Sequence, residues 1–413
     1  MGTIRPIPGL LLIFLLCTSA RVNAQGLGFS ITGGRKKVEI PIEVYNNLVV
    51  VPVVLNGTLP LKFILDTGVR TAILTQKSFS DILNLAYSRK YSITGPGGQK
   101  MVDAYVTNNV SLTLPGVEGR GHALLVLDQD YLELRNYLGT DVHGILGYEL
   151  FSRFIVKVDY EKRLLTLYLP EGFKLRRKFQ RIPIKIEDTK PYTMVPLVLP
   201  GGVRFTGKLL MDSGASHALL LDPKSDEKIQ VPDNTVSSTI GRGLGGEITG
   251  KAGRIESLAL GTYKLHGVIT NFPDPNSYSD STLFKVFRNG TLGGEILSRF
   301  TVIFDFPSEM VYLKKNPDFK KEFHYNLSGL TVKSKGAKLN VFEVTSVREG
   351  SSAFKTGIRI GDEILTMNGI QLDQVDLNYV LAMLNRKPGK KIRVEILRGE
   401  VKMKMEFTLS DQI

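Results

Sequence analysis

The chain has 413 residues, of which 42% are hydrophobic and 23% charged, as is ordinary for globular proteins that bury a sizeable core. Its formal net charge of +13 comes from 53 basic and 40 acidic residues spread along the chain. No nucleic-acid-binding motif or basic–aromatic stripe accompanies this charge, so it indicates solubility and solvated linkers rather than a nucleic-acid partner. The five histidines lack the spacing of metal ligands, and we expect neither a metal nor another cofactor.

The first 24 residues have the pattern of a cleaved secretory signal peptide. A positively charged start is followed by an apolar run over residues 10–16 and by a small-residue cleavage site ending at Ala24. The run is too short for a permanent membrane span, so we expect a secreted or periplasmic protein. The only cysteine, Cys17, follows Leu16, whereas a lipoprotein signal requires a small residue there, which argues against a lipid anchor. The cleaved chain would fold without disulfides.

Strand patterns begin soon after this segment. Residues 38–45 alternate apolar and polar side chains, and residues 48–55 are apolar and rich in β-branched side chains. Asn56 and Gly57 form a strong hairpin signal, which makes residues 61–65 the return strand. The first half is therefore predicted to consist mainly of β-hairpins.

Two glycine-rich turns are predicted to form the tips of further hairpins. The first turn contains Gly95, Gly97 and Gly98, and apolar segments flank it on both sides. The second turn contains Gly243 and Gly245 and lies at the matching place in the second half of the chain. Turns of this composition between strand-like segments are typical of hairpin loops.

The second half repeats the order of motifs found in the first. Each half has an apolar run that ends in Asp, then Thr or Ser, then Gly: Asp66, Thr67 and Gly68, and later Asp212, Ser213 and Gly214. The two aspartates are 146 positions apart, and so are Gly147 and Gly293 in the glycine segments that follow. A repeat this long indicates two lobes rather than a solenoid. A single triplet of this kind is more typical of an ordinary turn, but the matched register favours a shared functional role.

The pattern changes again near residue 325. Short apolar strands then alternate with a capped-helix signal at residues 350–357 and with helical spacing over residues 375–385. We therefore predict a division of the chain into residues 1–24, 38–170, 181–315 and 325–413.

The repeated motifs resemble those of the aspartic peptidases over roughly residues 38–315. The resemblance rests on the two triplets and on residues 145–147 and 291–293, which in that family run beside the catalytic loops. Val69 and Ala215 stand three positions after the aspartates, where retroviral-type enzymes carry Ala and pepsin-type enzymes usually carry a hydroxyl. The chain therefore looks closer to a retropepsin-like enzyme fused as a tandem.

The resemblance implies a mostly β, bilobal fold in which two pseudo-symmetric β-barrel lobes each supply one catalytic aspartate, Asp66 and Asp212. The active-site loops would be supported by Thr67, Gly68, Ser213 and Gly214, with Thr67 and Ser213 hydrogen-bonded across the axis. The two glycine-rich hairpins would be flaps that exclude water over the substrate, with Gly95, Gly97, Gly98, Gly243 and Gly245 as the flap residues. His217 would serve in local polar packing.

Residues 325–413 resemble a PDZ domain, which is a small α+β module. Gly329, Leu330 and Thr331 loosely match the loop that binds a peptide carboxylate in that family. The glycine-rich helix start and the Asn368-Gly369 turn carry the more specific part of the likeness. The resemblance implies a C-terminal peptide or protein tail as a partner, added as a strand beside the loop.

Together these motifs imply a secreted aspartic endopeptidase with a PDZ module for docking or regulation. Two carboxylates held close together cannot both ionise, so one would serve as general base on a water and the other as general acid. A catalytically inactive envelope peptide-binding protein with a vestigial protease fold is the alternative. A paired-carboxylate glycosidase is a rival class, but it would not require matched triplets, and the chain has no Trp for a sugar cleft.

Overall fold

The computed structural model describes residues 27–93, 95, 97, 102–275, 277 and 286–413. The predicted signal segment, with Cys17, and the flap residue Gly98 lie outside the described residues. Strands predominate in the described ranges, and the predicted mostly β fold of two lobes and a small C-terminal domain is confirmed. In these ranges no helix combines the length and apolar character that a membrane span requires.

The first lobe is built mainly on a nine-stranded sheet. The strands of this lobe, of which β3 to β9, β11 and β12 form the nine-stranded sheet, are β1 (Gly28–Ile31), β2 (Lys37–Pro41), β3 (Glu43–Tyr45), β4 (Leu48–Leu55), β5 (Leu59–Leu65), β6 (Ala72–Leu74), β7 (Arg89–Ile93), β8 (Val102–Val110), β9 (Leu112–Thr113), β10 (Val117–Arg120), β11 (His122–Leu127), β12 (Gly144–Leu146), β13 (Ile155–Asp159) and β14 (Leu164–Tyr168). Its helices are α1 (Lys77–Ile82), α2 (Leu134–Leu138) and α3 (Tyr148–Phe151). The strand order β3-β4-β5-β12-β6-β11-β8-β7 places β12 between β5 and β6.

The second lobe repeats this topology strand for strand. Its strands are β15 (Gln180–Pro183), β16 (Lys185–Glu187), β17 (Lys190–Leu199), β18 (Val203–Met211), β19 (Leu219–Leu221), β20 (Val236–Gly243), β21 (Gly246–Leu260), β22 (Tyr263–Pro273), β23 (Gly290–Leu292), β24 (Phe300–Asp305) and β25 (Met310–Lys315), with helix α4 (Gly294–Leu297). The order β16-β17-β18-β23-β19-β22-β21-β20 places β23 where β12 lies in the first lobe. The sequence repeat is thus a repeat of strand pairing.

A six-stranded sheet joins the two lobes, in the order β15-β25-β24-β13-β14-β2. Its central pair is β13 with β24, antiparallel, with Val156 opposite Phe304 and Val158 opposite Val302. These four side chains are fully or almost fully buried, and they belong to one apolar core that extends through both lobes. The lobes are therefore held together by continuous strand pairing as well as by apolar packing.

The C-terminal domain has a separate core and its own sheet. Its elements are β26 (Leu330–Lys335), β27 (Val341–Val347), α5 (Ser352–Lys355), β28 (Glu363–Met367), β29 (Ile370–Gln371), α6 (Leu377–Leu384), β30 (Lys391–Arg398) and β31 (Val401–Thr408). Leu377, Val380 and Leu384 form the buried face of α6, as their helical spacing predicted. Asp376 caps that helix by accepting a hydrogen bond from the main-chain N–H of Tyr379 (2.8 Å).

One predicted strand is divided in the structure. Residues 38–45 alternate as expected, but the chain leaves one sheet and enters another at Ile42. Strand β2 pairs with β14 in the interlobe sheet, and β3 pairs with β4 in the first lobe. Alternation specifies the buried face of a strand and carries no information about its pairing partner, so the pattern could not show this break.

The aromatic side chains beneath the interlobe sheet make a testable contribution to stability. Phe304 is fully buried and lies edge-on to Phe151, with 5.4 Å between ring centroids. Phe304→Ala should lower the free energy of unfolding by about 3–5 kcal/mol, because it removes a large ring and leaves a cavity. Urea titration followed by circular dichroism measures the change. Phe287→Ala, at a ring that is 63% exposed, is the control and should cost less than about 1 kcal/mol; equal losses would contradict the expectation.

Candidate active site

Each aspartate of the repeated triplets stands at the end of a buried strand that pairs with a later glycine strand. β5 runs parallel to β12, and β18 runs parallel to β23, with corresponding registers in the two lobes. The main-chain N–H of Asp66 donates to the carbonyl oxygen of Leu146, and that of Asp212 donates to Leu292, both at 2.9 Å. Two fixed strands therefore hold the backbone beneath each carboxyl group.

The glycines of the later segments are required by close backbone contact. A Cβ on Gly147 would overlap the carbonyl oxygen of Val69, and one on Gly293 would overlap that of His217. Tyr148, next along the chain, donates its N–H to the same Val69 oxygen (2.9 Å). The later segment thus braces the loop that follows each aspartate, as the family resemblance implied.

The hydroxyls of Thr67 and Ser213 join the two loops across the lobe boundary. The Thr67 hydroxyl donates to the carbonyl oxygen of Met211 (2.7 Å), and the Ser213 hydroxyl donates to that of Leu65 (2.8 Å). Each hydroxyl also accepts from the main-chain N–H of the other residue, at 3.0 and 3.1 Å. Both side chains are buried, so this reciprocal set has little competition from water.

The two carboxyl groups lie together above this set. Gly68 donates its N–H to one oxygen of Asp66 (2.6 Å), and Gly214 donates to Asp212 (2.9 Å). The two carboxyls lie next to each other, since a Cβ on Gly68 would stand 3.1 Å from an Asp66 oxygen and 3.3 Å from an Asp212 oxygen. A Cβ on Gly214 would overlap the Asp66 carboxyl, so this position admits only glycine while the pair keeps its geometry. The arrangement can hold one proton and present a carboxylate and a carboxylic acid side by side.

The pKa of Asp66 is raised well above its ordinary value of 3.8. Desolvation by burial is the largest cause, because it penalises the charged form, and the negative charge of Asp212 acts in the same direction. The N–H of Gly68 opposes both effects by stabilising the anion. The pair can therefore keep a proton at pH values where an ordinary carboxyl has lost its own.

His217 lies close to Asp212 and stays neutral over most of the pH range. Desolvation lowers the pKa of His217 to about 4, although the charge of Asp212 opposes the change. Within the described part of the chain, its Nε2 atom is buried without a hydrogen-bond partner. Above about pH 4 the ring is therefore uncharged and adds no positive charge beside the carboxyl pair. This supports a role for His217 in local packing.

A charged group near the carboxyl pair was not anticipated from the sequence. Arg70 and Lys190 both approach Asp188, each with 3.8 Å between the nitrogen and a carboxylate oxygen. The positive charge of Lys190 favours the charged form of Asp66, so it partly opposes the rise in the pKa of that carboxyl. Arg70 belongs to the first lobe, Asp188 to a turn of the second lobe, and Lys190 to the start of β17. Charged side chains in such places give no sign in sequence of the site they approach.

The tips of the two predicted flaps meet each other. Gly97 lies so close to Gly246 that a Cβ on Gly97 would overlap the main chain of the opposite flap. Gly95 lies against Leu244 in the same way, and Gly97 donates its N–H to the carbonyl oxygen of Ser277 (3.2 Å). The first flap is carried by β7 and β8 and the second by β20 and β21. Each lobe therefore contributes one flap.

The glycines predicted for the second flap lie in or beside the turn at its tip. Gly243 pairs with Gly246 across the tip of the second flap, and Gly245 lies buried in the turn between them. Leu244, in the same turn, packs against an apolar cluster that also receives Val69, three positions after Asp66. Only the glycines of this turn were predicted flap residues. An apolar side chain in a turn, such as Leu244, also indicates a contact with another part of the protein.

The predicted peptide-binding loop belongs to the C-terminal domain, away from the triplets in sequence and in sheet. Gly329 adopts φ +78°, and its N–H donates to Asn326, while the N–H of Leu330 donates to the hydroxyl of Ser328 (3.2 Å). Thr331 lies next along β26 and accepts a hydrogen bond from Thr345. Among the described residues, no cluster of His, Cys, Asp and Glu has the arrangement of a metal site.

The hydroxyl of Thr67 should stabilise the folded protein through its hydrogen bonds to the opposite lobe. Thr67→Val keeps the shape but leaves the N–H of Ser213 and the carbonyl of Met211 without this partner, which should cost about 1–3 kcal/mol of unfolding free energy. Thr67→Ser keeps the hydroxyl and should cost less than about 1 kcal/mol. Urea titration measures both variants, and equal losses would mean that the methyl group, not the hydroxyl, matters.

The raised pKa of Asp66 should make stability depend on pH. Between the ordinary carboxyl pKa of 3.8 and the raised value, the folded state holds a proton that the unfolded state has released. Stability should therefore fall as the pH rises through this window. Asp66→Asn removes that dependence, so its melting temperature relative to the parent should increase from pH 4 to pH 7.

Thermal melts at several pH values test this expectation. Asp233→Asn, at an exposed carboxyl, is the control and should track the parent at every pH. A constant difference between Asp66→Asn and the parent would show that Asp66 titrates like an ordinary carboxyl.

Comparison with known families agrees with this geometry. A family model described as aspartyl protease matches residues 51–150 and 195–296, one segment in each lobe, and includes both triplets. A second model, described as PDZ domain, matches residues 327–409. No curated protein matches the chain. The chain therefore carries two aspartyl protease segments, one in each lobe, followed by a C-terminal PDZ domain.

Proposed function

We propose that the protein is an aspartic endopeptidase whose catalytic residues are Asp66 and Asp212. The observation that carries this proposal is the close approach of the two carboxyls above the reciprocal Thr67–Ser213 set. That set depends on both lobes, so it supports a site built to hold one carboxyl from each. Thr67, Gly68, Ser213 and Gly214 are proposed as its supporting residues.

The proposed reaction uses a water molecule held between the carboxyls. The Asp212 carboxylate takes a proton from the water as its oxygen attacks the peptide carbonyl carbon, and Asp66 gives its proton to the carbonyl oxygen. The resulting tetrahedral diol collapses when Asp212 passes the proton it took to the amide nitrogen, Asp66 takes a proton back from one hydroxyl of the diol, and the C–N bond breaks. The products are a carboxylic acid and an amine, and no covalent bond to the protein forms.

The flaps support cleavage within a polypeptide. Tips contributed by both lobes touch one another through Gly97 and Gly246, so an extended chain would enter after they separate and lie beneath them. Closure would then exclude water other than the reacting one. The apolar cluster shared by Leu244 and Val69 supports contact between the closed flap and the active-site loop.

We further propose that the chain is exported and that its PDZ domain docks a peptide or protein tail. The pattern of residues 1–24 supports cleavage of a signal peptide and a secreted or periplasmic location. Residues 38–170, 181–315 and 325–413 are the proposed lobes and PDZ domain. Gly329, Leu330 and Thr331 are the proposed carboxylate-binding loop, because they precede and begin the edge strand to which a peptide could add.

Cleavage of a mixed peptide library from pH 3 to pH 8 tests the enzymatic proposal. Asp66→Asn and Asp212→Asn should each reduce the cleavage rate at least about 100-fold, because a positioned acid or base typically contributes 10²- to 10⁴-fold. Asp233→Asn should leave the rate unchanged. The optimum should lie above pH 4, because the Asp66 pKa is raised and residues 69 and 215 bring no side-chain hydroxyl to the carboxyls.

The outcomes separate the proposed enzyme from its alternative. Cleavage that survives in either variant would mean that the two carboxyls do not act together. A parent chain that binds library peptides without cutting them at any pH would favour the inactive binding protein.

A further inference from the structure

A short segment of the first lobe lies against the peptide groove of the PDZ domain. The walls of that groove are β26 and α6, between which a peptide would add as a strand. Strand β26 is at the edge of its sheet, with β27 as its neighbour on one side. The segment, residues 133–139, contains α2 and packs against β26 on the C-terminal domain.

The segment contacts both walls of the groove. The hydroxyl of Ser334, a fully buried residue of β26, donates to the carbonyl oxygen of Asn136 (3.0 Å). Gly139, at the end of α2, is so close to Leu377 on α6 that a Cβ at this glycine would overlap that side chain. Asn136 and Gly139 of this short segment therefore reach one residue on each wall.

Arg135 fastens the segment to the PDZ domain. Its guanidinium donates to the carbonyl oxygens of Gly336 (3.2 Å) and Ala337 (2.7 Å), just beyond the end of β26. It also pairs with Asp141 of its own lobe (2.7 Å). Hydrogen bonds from a charged donor are among the stronger ones in proteins, so these contacts hold the segment in place.

The same segment also holds the second flap. One carboxylate oxygen of Glu133 pairs with Arg242 of β20 (3.4 Å), and the other pairs with Lys333 of β26 (3.3 Å). The Arg242 guanidinium lies over the ring of Tyr137, 4.9 Å from its centroid. A flap residue, the first lobe and the PDZ domain therefore share one charged cluster.

We propose that residues 133–139 are an internal occupant of the PDZ groove, and that a peptide with a free C-terminal carboxylate displaces them and releases the second flap. The peptide and the segment would compete for the space between β26 and α6. Displacement would move Glu133 and Tyr137 away from Arg242, which removes both attachments of the flap tip to the segment. Ligand binding at the PDZ domain would thereby favour flap opening.

This competition has a thermodynamic consequence for peptide affinity. When the groove is open only part of the time, the apparent dissociation constant exceeds the intrinsic one by the inverse of the open fraction. Loosening the segment should therefore tighten peptide binding, although the altered residue touches no peptide. Breaking the Glu133–Arg242 pair should loosen the flap without opening the groove to the same degree.

The test uses the full chain and a readout that does not depend on cleavage. Arg135→Ala removes the two guanidinium hydrogen bonds to the PDZ domain. Glu133→Gln removes the negative charge that pairs with Arg242 of the flap. Arg120→Ala, at an exposed ion pair with Glu118 in the same lobe, is the matched control. Hydrogen exchange by mass spectrometry reports on the second flap, residues 236–249, and on β26.

Fluorescence anisotropy measures binding of a labelled decapeptide pool that ends in Val with a free carboxylate, beside the same pool amidated. Arg135→Ala should tighten binding of the free-carboxylate pool about tenfold and raise exchange in both regions about fivefold. Glu133→Gln should raise exchange mainly in the flap. Addition of the pool to the parent chain should also raise flap exchange, and Arg120→Ala should resemble the parent throughout.

Several results would overturn the proposal. Faster exchange in β26 with an unchanged flap would make the segment a passive contact. Unchanged affinity in Arg135→Ala would show that the segment does not compete with peptide. Failure of the free-carboxylate pool to bind either the parent or Arg135→Ala would show that the groove does not bind peptides of this kind. These results are independent of proteolysis, so failure of the proposed enzymatic function would leave them unaffected.

Discussion

The reciprocal hydrogen bonds of Thr67 and Ser213 are the constraint on which the arrangement of the two carboxyl groups depends. Each hydroxyl satisfies a carbonyl and an N–H of the opposite lobe, in a buried place where water cannot substitute. Neither lobe can satisfy these groups alone, so the two triplets define one another's position. The central β13–β24 pair of the interlobe sheet provides the rigid base that keeps both loops in register.

The same constraint imposes an electrostatic cost. Holding Asp66 against Asp212, away from water, disfavours the charged form of Asp66 and raises its pKa. A group that resists ionisation at neutral pH lowers the stability of the folded state there. A carboxyl pair of this kind is therefore maintained by the surrounding strands, whose packing and hydrogen bonds offset the repulsion. Such local cost is typical of sites built for acid–base chemistry.

The second flap is one of the elements through which the C-terminal domain meets the lobes. Arg242 of β20 reaches the charged cluster around Glu133. On β21 of the same hairpin, Arg254 pairs with Asp411 (2.6 Å) and donates to the carbonyl oxygen of Ile413 (2.9 Å). Strand β21 thus contacts the C-terminal region directly, and β20 reaches it through Glu133, which also pairs with Lys333. These contacts give a physical route by which a change in that domain reaches the cleft.

The amino-acid sequence alone determined the duplication, the two Asp-Thr/Ser-Gly triplets, most strands and the C-terminal PDZ pattern, because these depend on local periodicity and on spacings along the chain. The strand break at Ile42 required the structure, since alternation does not identify a pairing partner. The approach of Arg70 to Asp188, the Leu244 contact and the packing of α2 against β26 also depended on tertiary structure. These contacts join residues distant in sequence, and exposed charges or single apolar residues carry no local record of the partner they meet in the folded chain.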